Sequence, residues 1–208
     1  MIPRGVCQIG RTPASSSVET RNYKGYMLER CVQQPQIMNS REIYRTFIGF
    51  EEQAARIYLQ MASSFYPGDR ELSALWLDMG MQEKQHAGLL QFCLLEGLLV
   101  MSEPTEERTK QITDLFSNLS RRVADPGLGI NDAFQIATEL ETSEINDIYH
   151  RLTVPLHSSN YLLRRKIAAS IPDHVDRLLQ EGRRYGVPED TLKRLERLAP
   201  KGVPVGEK

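Results

Sequence analysis

Residues 75–93, LWLDMGMQEKQHAGLLQFC, hold the pattern from which the fold is read. With Leu72 just upstream, Trp76, Met79, Glu83, His86, Leu90 and Cys93 recur at steps of three and four, which on a helix makes one stripe along one side. The stripe is apolar except at Glu83 and His86, one turn apart on it. A carboxylate and an imidazole aimed into a packed interior are costly unless something pairs with them, and a metal ion is one such partner. The Glu-x-x-His spacing alone arises often by chance. It gains weight when other helices bring matching carboxylates.

Upstream, Asn39 and Glu42 have capping-box spacing, and the helix they open is predicted to run to about Ser64, before Pro67-Gly68. Its inner stripe is Tyr44, Phe47, Glu51, Ala54, Tyr58, Met61 and Phe65, with one charged member. The second helix is predicted from Asp69 past Leu94, loosened at Gly97. Downstream, residues 105–123 place Ile112, Leu115, Phe116, Leu119 and Val123 at helical spacing, a partly helical crossover long enough to traverse a bundle. After Pro126, Gly127 and Gly129, the pair Asp132 and Gln135 offers another capping box. It opens a third core helix with the stripe Phe134, Ala137, Glu141, Glu144 and Ile148, ended by Pro155. A fourth helix is predicted from near Ser159, with Leu163, Ile167, Ile171, His174 and Leu178 on one side and Pro172 as a kink or a restart. Gly186 closes it, and Pro188 is expected in the first turn of a short helix reaching Ala199.

The 208 residues suit one domain with tails: a tail at 1–38, a bundle at 39–186, and a short helix with a second tail at 187–208. No strand pattern of useful length is present, so the fold class is all-α. The 26 basic and 27 acidic residues give no broad field for nucleic acid or an anionic membrane. No apolar run reaches the length of a membrane span, and MIPRGVCQIG lacks the apolar core of a secretory signal. Cys7, Cys31 and Cys93 are too scattered for a disulfide framework, which makes a reducing cytoplasm the default expectation.

Each of the four amphipathic helices thus carries an ionisable residue where its pattern calls for an apolar one: Glu51, Glu83 with His86, Glu141 with Glu144, and His174. Burying these carboxylates together costs several kcal/mol per ion unless cations neutralise them. Carboxylate oxygen and imidazole nitrogen suit iron, manganese or zinc, and helical bundles build two-metal sites from such sets. His150 lies off the inner stripe and His157 follows Pro155, so both are read as solvated.

Here the chain resembles a known family. Glu51-Glu52-Gln53-Ala54 with Tyr58, then Glu83-Lys84-Gln85-His86, then Glu141-Thr142-Ser143-Glu144 with Tyr149 are similar, in order, to three helix motifs of the rubrerythrin diiron domain. The resemblance covers roughly residues 40–185 and implies a ferritin-like four-helix bundle around two iron ions that react with dioxygen or hydrogen peroxide. It implies Glu51, Glu83, His86, Glu141, Glu144 and His174 as ligands, Tyr58 and Tyr149 as hydrogen-bond donors to them, and pairing into a homodimer. Two departures stand out. Ser170, Ile171 and Pro172 occupy the place where the family has a fourth-helix glutamate, and no Cys-x-x-Cys pairs are present to hold an electron-delivering iron. An external electron donor is therefore expected. A diiron hydroxylase of an organic substrate and a metal-free interaction module are the competing expectations.

Overall fold

Asn39 and Glu42 act together at the first helix as their spacing predicts. The Asn39 side chain accepts the Glu42 amide and the Glu42 carboxylate accepts the Asn39 amide, which opens α1 (Ser40–Phe65). Tyr66 caps its far end, and after Pro67-Gly68 the Asp69 side chain accepts the Leu72 amide to open α2 (Arg70–Glu96). That helix stops at Gly97, whose φ of 68° is the left-handed geometry glycine adopts without a Cβ penalty. Next come α3 (Glu106–Val123), α4 (Ile130–Glu141), a helical stretch at 174–184, and α5 (Glu189–Glu196). The computed structural model describes residues 39–100, 106–143, 148–149, 151–153 and 174–198, which all fall in one compact unit. Among them there is no strand, and no helix is long and apolar enough to cross a membrane.

α1 and α2 pack against each other along their length, and α1 also meets α3 and α4. Two details bring α1 and α2 close. The Ser73 hydroxyl donates to the Ala62 carbonyl at 2.7 Å, and Gly80 lies so near α1 that a Cβ there would sit 3.0 Å from Leu59 Cγ and 3.1 Å from the Ala55 carbonyl oxygen. Around this pair the core collects Tyr44, Phe47, Tyr58, Trp76, Phe116 and Phe134, all fully buried. Each such side chain contributes on the order of 1.5–3 kcal/mol by leaving water. Tyr44 also works as a strap. Its hydroxyl donates to the Leu152 carbonyl at 2.6 Å and accepts the Val100 amide at 3.3 Å, tying α1 to the chain beyond α2 and to residues 151–153.

Three expectations need correcting. α4 begins at Ile130 with Gly129 as its cap, so Asp132 lies inside the first turn and forms no capping box with Gln135. The helix expected to continue through Ile148 ends at Glu141, followed by a turn at Thr142 and a bend at Ser143. At this end the hydroxyls of Thr138, Thr142 and Ser143 bond back to the carbonyls of Phe134, Thr138 and Leu140. Finally, Pro188 is the cap of α5 rather than part of its first turn, and α5 ends at Glu196, short of Ala199. The tails, Glu144, His150, His157, Pro155 and the expected fourth helix from Ser159 through Ser170, Ile171 and Pro172 lie outside the described residues.

Candidate metal centre

Five of the expected ligands come together, all buried: Glu51 from α1, Glu83 and His86 from α2, Glu141 from the last position of α4, and His174 from the start of the 174–184 stretch. They form two clusters, Glu51 with Glu83 and His86, and Glu83 with Glu141 and His174. Within each cluster the candidate ligand atoms lie within 4.8 Å of one another, a spacing that can hold a metal ion. Glu83 belongs to both. Its Oε2 is 3.0 Å from His86 Nδ1, and its Oε1 is 3.5 Å from His174 Nδ1. Glu51 Oε2 stands 3.7 Å from His86 Nδ1, and Glu141 Oε1 stands 3.6 Å from His174 Nδ1, so each half holds one private carboxylate and one imidazole around the shared one.

Burial makes this set demanding. Neither oxygen of Glu51, neither nitrogen of His174, nor His86 Nε2 has a hydrogen-bond partner among the described residues. Leaving such groups unpaired in a core costs about 1–3 kcal/mol each, and more where they are charged. Burial pushes the Glu51 carboxyl up to about 8, with the neighbouring Glu83 charge adding to the rise. Burial acts on Glu83 in the same direction, but the imidazoles of His86 and His174 outweigh it and hold that carboxyl down to about 2. His86 shows the reverse balance. Burial opposes its charge, yet the Glu83 and Glu51 carboxylates lift it to about 10. Protons could do the neutralising, but orphaned oxygens and nitrogens facing one another are also what a divalent ion would satisfy, so the donor set fits one.

The two expected tyrosines are placed beside the ligands. The Tyr58 hydroxyl donates to Glu141 Oε1 at 2.9 Å, and burial beside Glu141 raises its pKa well above the ordinary phenol value. The buried Tyr149 ring lies 4.4 Å from the His86 ring, centroid to centroid, and burial near Glu51 and Glu83 likewise raises its pKa. The His86 and His174 rings are themselves 5.4 Å apart, their planes inclined by 29°. Glu144 lies outside the described residues, as do Ser170 and Ile171, where the fourth-helix carboxylate was expected to be missing. One residue near the site went unread in the sequence. Gly80, a turn before Glu83, sets how closely α1 approaches, and a glycine inside an amphipathic pattern is its only signal, one that Gly88 also gives although nothing lies within 4 Å of its Cβ position.

Two surface clefts, one walled by Glu71, Asp78, Arg177 and Arg184 and one by Arg122, Asp125 and Asp132, are lined by none of the site residues. Comparison with protein families, with curated proteins and with solved structures finds no match for this chain.

Proposed function

We propose that the chain is a rubrerythrin-like dimetal oxidoreductase, a cytoplasmic ferritin-like four-helix bundle that holds two iron ions and reacts with dioxygen or hydrogen peroxide. The observation that carries the reading is Glu83, which presents one oxygen to each of two buried clusters that can hold a metal ion. A single site would leave one of those oxygens without a role. Glu51 and His86 would hold one ion, Glu141 and His174 the other, and Glu83 would join them. Manganese or zinc would suit the same atoms, but zinc, with no accessible higher oxidation state, would supply no electrons to an oxidant.

The chain's own residues have definite tasks in this reading. Tyr58 fixes Glu141 by donating to Oε1 and thereby limits how that carboxylate can swing. The buried apolar residues one turn from the ligands along the same helices, Phe47, Met79, Leu90 and Ala137, help keep bulk water from them and so strengthen the charge interactions among them. In this reading electrons come from an external donor. Metal analysis of protein purified without added metal tests the reading: about two divalent ions per chain are expected. Glu83→Ala should lose both ions while keeping its helical circular dichroism, whereas Glu51→Ala should keep the His174 half loaded. Unchanged stoichiometry in Glu83→Ala would overturn the proposal.

A further inference from the structure

The outer face of α2 is as patterned as its inner one. Leu77, Met81, Phe92 and Leu95 are large apolar side chains held in water on this one helix, Leu95 with 73% of its surface exposed. At 3.6 residues per turn the four fall within about 60° of one another around the helix, and Gly88, also exposed, lies in the same arc. Glu83, His86 and the core stripe occupy the other side. Apolar groups scattered singly over a surface need no explanation, but a continuous row of them does. We propose that this row is the contact surface of a two-fold dimer in which α2 packs antiparallel against α2 of a second copy.

The spacing of the row points to a second copy rather than another partner. Leu77 and Leu95 stand nine residues either side of His86, Met81 and Phe92 five and six, and Lys84 and Gly88 two. A two-fold axis level with His86 therefore sets Leu77 against the partner's Leu95 and Met81 against the partner's Phe92. Large apolar groups then meet large apolar groups at every step. Lys84 meets the partner's Gly88, and nothing in the chain lies within 4 Å of the position a Cβ would take there. That space accepts the four-carbon stem of the lysine while its amine stays in water. An unrelated protein would have no reason to match so symmetric a row.

Charge and size agree with this occupant. Between Leu77 and Leu95 the exposed positions hold one cation, Lys84, and one acid, Asp78, which is paired with Arg177. An anionic bilayer therefore finds little positive field along the row. At 1.5 Å per residue the row is about 27 Å long. That is close to the breadth of the roughly 800 Å² that each partner gives to a standard interface.

The experiment is light scattering after size exclusion on the full chain as purified, with twice the chain mass expected. Because of the two-fold symmetry, Leu95→Glu places a carboxylate against the partner's Leu77 at both ends of the contact. It should weaken dimerisation about a hundredfold or more while leaving the helical circular dichroism unchanged. Leu198→Glu, at an exposed leucine away from α2, should leave the dimer intact. Cysteines then read the orientation. A chain carrying both Leu77→Cys and Leu95→Cys should form an interchain disulfide on mild oxidation, and either substitution alone should cross-link no faster than the wild type. A monomeric wild type, a Leu95→Glu variant that stays dimeric, or single cysteine variants that cross-link as well as the double one would each overturn the proposal.

Discussion

At the scale of single residues, stability and site chemistry meet in a few polar atoms sealed from water. Tyr44 is one: its hydroxyl donates to the Leu152 carbonyl, with the Leu98 carbonyl a more distant second acceptor at 3.2 Å, and accepts the Val100 amide. Tyr44→Phe keeps the ring and strands those groups, so it should lower stability by about 1–3 kcal/mol in denaturant titrations while leaving metal stoichiometry intact. Glu51, Glu83, His86, Glu141 and His174 were legible in the sequence because each breaks an apolar stripe, and all five are buried. The division of Glu83 between two clusters was not legible. Periodicity tells which face of a helix a side chain occupies, but the reach of its two oxygens depends on how neighbouring helices are shifted along one another.

At the scale of elements, the boundaries set by side-chain caps and glycine were readable and the interrupted helix was not. Asn39, Asp69 and Gly97 end or begin helices where their chemistry requires, whereas the break after Glu141 falls at Thr142 and Ser143, which look innocuous in a helical pattern. The α1 and α2 pairing makes its own prediction. Replacing Gly80 with alanine gains about 1 kcal/mol of helix propensity. Against that, the new Cβ would stand 3.1 Å from the Ala55 carbonyl oxygen, an atom that moves only if α1 moves. Overpacking of this kind costs about 1–3 kcal/mol, so Gly80→Ala should lower the melting temperature despite its better propensity. Because Ala55 lies a turn from Glu51 and Gly80 a turn from Glu83, the same change should weaken metal binding in the His86 half first, read by calorimetric titration.

For the molecule as a whole, the buried charges tie folding to pH, and in the two-metal reading they tie it to metal as well. In the metal-free protein Glu51 sits near 8 against an ordinary 4.5, and His86 near 10 against 6.5, so the folded state holds extra protons. Those raised groups stabilise fully below their ordinary values, and their contribution is lost as pH climbs through 8 and then 10. Glu83, lowered from 4.5 to about 2, works the other way: its contribution is present above 4.5 and is lost as pH falls through 2. The chelated protein should therefore melt at a lower temperature at about pH 9 than at about pH 6. Added ferrous or manganous ion must displace those protons, so its stabilising shift should grow over the same interval; a shift independent of pH would count against the buried-ligand reading. Glu83 carries one more consequence. A carboxylate is a flat unit with a fixed bite, so tipping it toward an ion on one side draws it away from the other, like a seesaw. In the two-metal reading, ionic radius would be judged for the couple as a unit, and a misfit in one seat would be felt in the next.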